Sequence, residues 1–302
     1  MSWKKVLALL FGLMLLTTTL TIKVASAEES VTVILVSDNE ADSALAEYVA
    51  KMTGAFVVKT PWGIYDSNVT AEIIGYAPDK VIIIGGPIAV PEWYVNDLKE
   101  LGIKVERWWG ENRYETNIAL ISNATSKFKL EYSDSVLIVP GNDDAAIREA
   151  LNKAVQTKSL IIFVDENTDV NKVLARLQAE AHNINLIRSQ VMEKVAERVK
   201  ERLGKISSEF DVEITAERAL EVINLTQERI AKAEELLANV ALPEQKEELA
   251  KEMLDKAKGE LEMAEKAYEE GKYEEAYEQA ITAKAHAEFV IRVAFQEWIR
   301  SA

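Results

Sequence analysis

Residues 80–86 read KVIIIGG, in which four successive apolar side chains lead into a pair of glycines. Similar runs recur as far as about residue 204, and amphipathic stretches separate them. Strands buried on both faces have such continuous apolar runs, and helices between them produce parallel βαβ units. The further runs are VTVILV (31–36), AFVV (55–58), IKVERW (103–108), DSVLIVPG (134–141), SLIIFV (159–164) and NINLI (183–187). This pattern predicts an α/β region over 28–204, with parallel sheets in Rossmann-like three-layer units and Val81–Ile84 as a fully buried central strand.

The α/β region contains an internal repeat. VILVSDN (33–39) aligns with VLIVPGN (136–142) at an offset of 103 positions. KVIIIGG (80–86) aligns with NINLIRS (183–189) at the same offset, so the second copy has an arginine and a serine in place of the glycine pair. Two copies of one α/β unit in tandem are the simplest account of this repeat. We expect the units at about residues 28–130 and 131–204.

The chain changes character at about residue 205. Apolar residues then recur at spacings of three and four, which is typical of amphipathic helices. Gly271 marks a turn between two such stretches. We predict that residues 205–302 form an acidic helical hairpin or a three-helix, coiled-coil-like bundle without strands.

The first 27 residues have the pattern of a signal peptide. Lys4 and Lys5 precede an apolar run, and Ala25 and Ala27 match the small residues of a signal-peptidase site. The alternative is an uncleaved N-terminal anchor. The pattern predicts a secreted or cell-surface protein, with no membrane span once the segment is removed.

Composition narrows the functional classes. The 50 acidic and 35 basic residues give a net charge of −15, which disfavours a nucleic-acid partner. The absence of cysteine excludes disulfides, thiol nucleophiles and zinc–thiolate sites, and two histidines are too few for a multi-histidine metal centre. No cofactor is implied. On an exported chain, Asn68, Asn123 and Asn224 are sequons that would make the protein a glycoprotein if they were used, although chance also explains them.

The segment 81–119 resembles the cell wall-binding repeat 2 family, and the similarity covers about residues 31–204 and fades in the second copy. The likeness rests on the glycine pair, on VER at 105–107, on Gly110 and on RYET at 113–116. The resemblance implies an exported α/β module that attaches proteins non-covalently to cell-envelope polymers, usually in three tandem repeats. This chain has two repeats, and the second is degenerate. The implied partners are an envelope polymer or an S-layer protein, and the chain is a candidate homo-oligomer.

Two arginines and several aromatic residues cluster in this segment. Arg107 and Arg113 flank Gly110, and a guanidinium can bind a carboxylate or phosphate through two parallel hydrogen bonds. Aromatic rings can stack on sugars. The alternative is structural, and we favour it: the arginines pair with nearby glutamates, Asn112 caps the next helix and the rings fill the core. The candidate polymer-binding residues are Gly85, Gly86, Arg107, Trp108, Trp109, Arg113 and Tyr114.

Acidic residues follow the first strand of each unit. Asp38 and Asp42 follow the first strand of the first copy, and Asp143 and Asp144 follow the first strand of the second copy. Ligands bind beyond the carboxyl ends of strands in open α/β sheets, where oxygen ligands suit Ca²⁺ or Mg²⁺. Capping of the next helices is the alternative that we favour. The glycine pair likewise either admits a ligand or makes a tight turn without one.

These observations favour a non-catalytic binding or anchoring protein of the cell envelope. Its α/β repeats would dock on a surface polymer or S-layer partner, and the helical region would project, present or self-associate. One alternative is an exported enzyme that acts on glycans through paired carboxylates. Another is a small-ligand-binding α/β protein that uses the crevice at the glycine pair.

Overall fold

The computed structural model of the chain describes residues 30–301, so the predicted signal peptide, residues 1–27, lies outside the described residues. The first unit comprises β1 (Thr32–Ser37), α1 (Glu40–Thr53), β2 (Phe56–Thr60), α2 (Ser67–Gly75), β3 (Lys80–Ile84), α3 (Trp93–Glu100), β4 (Lys104–Trp108) and α4 (Arg113–Phe128). The second comprises β5 (Ser135–Pro140), α5 (Asp144–Thr157), β6 (Leu160–Val164), α6 (Val170–Leu177), β7 (Asn183–Ser189), α7 (Glu193–Leu203) and β8 (Ser208–Val212). The C-terminal helices are α8 (Ala216–Asn239), α9 (Glu244–Glu269) and α10 (Tyr273–Ser301).

Each unit contains a four-stranded sheet in which all strand pairs are parallel. The strand order is β2-β1-β3-β4 in the first sheet and β6-β5-β7-β8 in the second. Val81–Ile84 lies on an inner strand, and its side chains are fully buried. The predicted α/β class, its duplication and the central strand are therefore confirmed.

One strand was missed in the sequence. β8 (Ser208–Val212) pairs with β7 beyond the predicted end of the α/β region at residue 204. Its sequence, SEFDV, buries only Val212, because β8 is an edge strand that carries polar side chains. An edge strand lacks the continuous apolar run that marks a buried strand. The expectation of no strand after residue 205 was therefore wrong.

The two sheets are joined through helices of the first unit. Asn117 on α4 is fully buried, donates to the Ile161 carbonyl and accepts from the Phe163 N–H. It therefore provides hydrogen-bond partners for one carbonyl and one N–H on the free edge of β6. The Tyr48 hydroxyl on α1 donates to the Ser159 carbonyl at 2.7 Å. An amide that bonds both a donor and an acceptor of an edge strand fixes the position of one unit against the other.

The C-terminal helices pack against both α/β units rather than projecting from them. On α8 and α10, Ile230 and Ile291 belong to the same buried cluster as Val33 of β1. Val222 and Tyr277 belong to the cluster that contains the core of the second unit. From Val31 onward the described residues form one compact unit. Within residues 30–301, none of the helices combines the length and the apolar character that crossing a bilayer would require.

A chain that ends after Gly204 should not fold cooperatively. It would lose β8 and the three C-terminal helices, and apolar residues that share a buried cluster with those helices, among them Val33 and Leu35, would lose buried neighbours. Circular dichroism during thermal denaturation is the measurement, with the chain from residue 28 to 302 as the control. A sharp melting transition in the truncated chain would contradict this expectation.

Candidate functional site

A cleft of about 710 Å³ lies at the carboxyl ends of the strands of the first sheet. The connections from β1 and β3 leave in opposite directions in this strand order, and that is where open α/β sheets bind ligands. The amino end of α1, the loops after β3 and β4, and α10 form the walls. The lining side chains with polar or aromatic groups include Asn39, Asp42, Trp62, Trp109, Glu111, Asn112, Arg113, Tyr114, Asn142, Glu288, Arg292 and Gln296.

Arg107 supports the loop that forms one wall of the cleft. Its guanidinium donates to the carbonyls of Gly85 and Val90, at 2.9 and 3.0 Å, and to the Glu92 carboxylate at 3.0 Å. The side chain is mostly buried, and burial lowers its pKa while Glu92 raises it. The structure therefore places Arg107 beneath the loop after β3, as an internal brace.

Trp108 and Trp109 point to different environments. Trp108 is buried, and its indole N–H donates to Glu106. Trp109 is 48% exposed and lines the cleft. A Cβ added to Gly86 would lie 2.8 Å from Cε3 of Trp109, so the indole rests directly on the glycine backbone. The second glycine of the pair is thus required for close approach of a ring.

Gly85 satisfies a different requirement. Its φ is +107°, a conformation that side chains with a Cβ rarely adopt, and its N–H donates to the Trp108 carbonyl. A Cβ there would also lie 3.4 Å from Oδ2 of Asp42. The glycine pair therefore brings a carboxylate and an indole to adjacent positions of the chain at the end of β3.

Arg113 connects three parts of the chain. It donates to the Gly141 carbonyl at 2.6 Å and pairs with the Glu288 carboxylate of α10 at 3.4 Å. Glu288 is buried and also accepts from the Asn39 side chain at 3.3 Å. Tyr114 packs beside Gly141, where a Cβ would lie 2.6 Å from the tyrosine ring, and its burial raises the pKa of its hydroxyl. Arg113 thus joins the first unit, the second unit and the helical region.

Asn112 begins α4 as predicted. Its Oδ1 accepts from the Glu115 N–H at 2.9 Å. The Glu115 carboxylate pairs with Arg176 of the second unit. The cap is therefore confirmed.

Asp42 is the exceptional carboxylate of the cleft. It is 9% exposed, and no described residue forms a hydrogen bond or ion pair with it. Burial raises its pKa from 3.8 to about 6; the positive charge of Arg113 opposes this shift, and the negative charge of Glu288 adds to it. A buried carboxylate usually has hydrogen-bond donors around it. Asp42 has none in the described structure and faces the cleft.

The other acidic residues proposed as metal ligands have protein partners. Asp38 pairs with Arg229 of α8 and accepts from the Trp62 N–H. Asp143 caps α5 through the Ala146 N–H. Asp144 pairs with the buried Lys284 of α10. In residues 30–301, no group of three or more His, Asp or Glu side chains is arranged to hold a metal ion.

The equivalent crevice of the second unit is filled by α10. The Tyr277 hydroxyl donates to Asp143 at 3.2 Å and accepts from the Ala145 N–H at 2.8 Å. Asp143 also accepts from the Ser189 N–H, at the position that matches the glycine pair. Arg188 beside it pairs with carboxylates of α7 and β8. The second crevice therefore holds a side chain of the protein itself, and the first stays open.

All three sequons lie on helices. Asn68 and Asn224 are exposed, whereas the Asn123 amide is partly buried and donates to the Ala119 carbonyl. Thr226 of the third sequon is buried and donates to the Val222 carbonyl. Glycosylation at these positions stays a prediction.

Sequence reasoning did not find the contribution of α10 to the cleft. Glu288 and Arg292 are one helical turn apart on a mainly apolar helix, so in the sequence they look like ordinary solvated charges. The only feature of the sequence that could have predicted their place in the cleft is the position of Glu288 and Arg292 relative to the apolar stripe of α10, which faces the sheet. The sequence did indicate Asp42 at the carboxyl end of the strands, but as a candidate metal ligand or helix cap.

Comparison with known proteins gives relatives without an assigned activity. The uncharacterized protein MJ0755 of Methanocaldococcus jannaschii is 35% identical over 191 residues, which are 63% of this chain and 55% of that protein. The chain therefore spans about half the length of this curated relative. No family model matches the chain, so the likeness of about residues 31–204 to the cell wall-binding repeat 2 family stays a resemblance.

Two cell wall proteins of Clostridium difficile are similar in structure. Cwp8 matches over 67% of this chain and 33% of its own, with a TM-score of 0.48 and 21% identity. Cwp6 matches over 67% of this chain and 32% of its own, with a TM-score of 0.48 and 17% identity. At this level of similarity neither structure supports an argument about what this chain binds.

Replacing Arg113 with alanine should destabilise the fold by about 3 kcal/mol, because it leaves the buried Glu288 carboxylate without its cationic partner. Urea denaturation measures the free energy of unfolding. The double variant Arg113→Ala/Glu288→Gln should lose much less than the two single losses added together, because the uncompensated charge is gone. A stability loss in the double variant equal to the sum of the two single losses would show that Arg113 and Glu288 do not interact.

Replacing Asp42 with asparagine should stabilise the fold at neutral pH. Between the ordinary pKa of 3.8 and the folded-state pKa of about 6, the folded chain keeps a proton that the unfolded chain releases. Stability is therefore lost as the pH rises through this window, and the loss is complete above it. The shift of about two pKa units corresponds to about 3 kcal/mol. Asparagine removes this loss.

Urea denaturation at pH 7.5 and pH 4 measures the effect. The gain for Asp42→Asn should be largest at pH 7.5 and nearly absent at pH 4. Asp255→Asn, which changes an exposed aspartate of α9 in the same way, is the matched control and should change little at either pH. Equal stability of Asp42→Asn and the unmodified chain at pH 7.5 would show that the Asp42 carboxylate is well solvated.

Proposed function

We propose that this chain is an exported, non-catalytic binding protein of the cell envelope, and that it holds a surface glycan in the cleft of the first α/β unit. One observation carries the proposal: the cleft at the switch point of the first sheet is open and contains the exposed ring of Trp109. An exposed aromatic face beside amide and charged side chains suits a ligand with both apolar and hydroxyl-bearing surfaces.

The duplication supports the first unit as the binding unit. In the matching crevice of the second unit, the Tyr277 hydroxyl already holds the Asp143 carboxylate and the Ala145 N–H, and the cavity beside it is only about 180 Å³. The signal-peptide pattern of residues 1–27 and the resemblance of 81–119 support an exported, envelope-associated protein. We propose that the helical region serves chiefly to close the second crevice and to form one wall of the first.

The roles expected of the two arginines change in this proposal. Arg107 braces the loop after β3, and Arg113 anchors α10 through Glu288. Both arginines therefore act on binding by positioning the walls of the cleft. Trp109 and the exposed side chains of Asn112, Asn142 and Arg292 are among the groups that a ligand can reach.

A glycan-acting enzyme is the second candidate, because Asp42 has the raised pKa that a general acid needs. Such an enzyme also needs a second carboxylate. Glu288, the other buried carboxylate that lines the cleft, is engaged by Asn39 and Arg113. Release of reducing ends from envelope glycans, abolished by Asp42→Asn, would establish the enzyme and overturn the non-catalytic proposal.

Replacing Trp109 with alanine should weaken binding to isolated cell envelopes about tenfold, since stacking on an aromatic face contributes on the order of 1 kcal/mol beyond its buried area. Sedimentation of the chain with envelopes over a range of protein concentrations measures the affinity. Trp93→Ala is the matched control, because Trp93 is 43% exposed and lies outside the cleft. Equal losses in both variants would remove the cleft from the proposal.

A further inference from the structure

The carboxylate of Asp42 and the indole of Trp109 lie together in the cleft because of the glycine pair. The carboxylate packs against the position of Gly85, and the indole packs against that of Gly86. Gly85 and Gly86 are consecutive residues, and Asp42 and Trp109 both line the cleft. A ligand in the cleft can therefore meet the carboxylate and the indole together.

The second unit shows that the fold does not need this carboxylate. By their places in the helices, Asp42, the third residue of α1, corresponds to Ala146, the third residue of α5, and the repeat offset of 103 positions gives Ala145. Both alanines are buried. One copy of the repeat thus folds with a methyl group where the other carries a mostly buried carboxylate without a protein hydrogen-bond donor. The Asp42 carboxylate destabilises the folded state at neutral pH, and the repeat can fold without it, so its presence requires an explanation other than stability.

The second unit also shows which chemical group its crevice accepts. There the occupant is a hydroxyl, that of Tyr277, which donates to the carboxylate of Asp143. In the first unit, α10 presents Glu288 and Arg292 at the cleft, and neither supplies a hydroxyl. The carboxylate of Asp42 has acceptor capacity and lacks a donor.

We infer that the cleft binds a sugar ring whose hydroxyl groups donate hydrogen bonds to the Asp42 carboxylate while the ring stacks on Trp109. This inference rests on the proposed function and adds the two protein groups that hold the sugar, with Asp42 as the principal hydrogen-bond acceptor. An ionised carboxylate accepts from two hydroxyls at once, and hydrogen bonds to a charged group are about twice as strong as neutral ones. The bound sugar supplies the donors that Asp42 lacks in the free protein.

The binding should depend on pH in one direction. The charged groups that face Asp42 are Arg113 of α4 and Glu288 of α10. The ionised carboxylate is the stronger acceptor, and neither of its oxygens carries a proton, so affinity should rise as the pH passes upward through about 6. Asparagine does not titrate, so Asp42→Asn should bind weakly and equally at pH 5 and pH 7.5.

The experiment uses the chain from residue 28 to 302 and two probes: isolated envelopes, and the polysaccharide prepared from them after complete proteolysis. Binding is measured at pH 5 and pH 7.5 for the unmodified chain and for the variants Asp42→Asn, Asp42→Ala and Asp255→Asn. At pH 7.5 both Asp42 variants should bind the polysaccharide about 10- to 100-fold more weakly, and Asp255→Asn should bind normally. Asp42→Ala should fold, since alanine fills the matching position of the second unit.

The outcomes separate this inference from the proposed function. Binding by Asp42→Asn equal to that of the unmodified chain, together with a loss in Trp109→Ala, would overturn the role of Asp42 and leave the cleft intact. Binding to envelopes but not to their polysaccharide would indicate a protein partner and overturn the inference that the cleft binds a sugar. An unmodified chain that binds neither probe would overturn both.

Discussion

Buried ion pairs between the C-terminal helices and the carboxyl ends of the strands hold this structure together. Arg229 of α8 pairs with Asp38, and Lys284 and Glu288 of α10 pair with Asp144 and Arg113. Each of these helical side chains is buried. A buried charge without its partner costs several kcal/mol, so the helices can pack on the α/β units only in the position that brings these partners together. The position of the helical region follows from this constraint.

The same constraint makes the two repeated units unequal. α10 crosses both of them, so one helix places Tyr277 in the second crevice and Glu288 beside the first. The spacing along α10 decides which residue reaches which crevice. Tyr277 enters the crevice of the second unit, and Glu288 lies at the wall of the first cleft. The duplicated α/β unit thus has one crevice that holds Tyr277 and one open cleft of about 710 Å³.

Asp42 shows the tension between stability and binding in the open cleft. Natural proteins rarely bury a carboxylate without donors, and they violate such rules mainly at functional sites. The second unit supplies an internal reference, because alanine occupies the matching position and its crevice is filled by the protein. The carboxylate is retained only where the crevice is open. This association between an open crevice and an unsatisfied acceptor links the packing of α10 to the chemistry of the site.

The sequence by itself determined the α/β class, the tandem repeat, the buried strand at Val81–Ile84, the cap at Asn112 and the helical C-terminal region. These features depend on local periodicity and on side chains a few residues apart, which a single sequence displays directly. Only the tertiary structure decided that β8 continues the second sheet, that Arg107 and Arg113 face inward, and that Asp42 has no partner. An edge strand carries few apolar residues, and the partner of a charged side chain is set by contacts such as that between Arg113 and Glu288, 175 positions apart. Such contacts exist only after the apolar faces of distant elements have packed, and no local pattern encodes them.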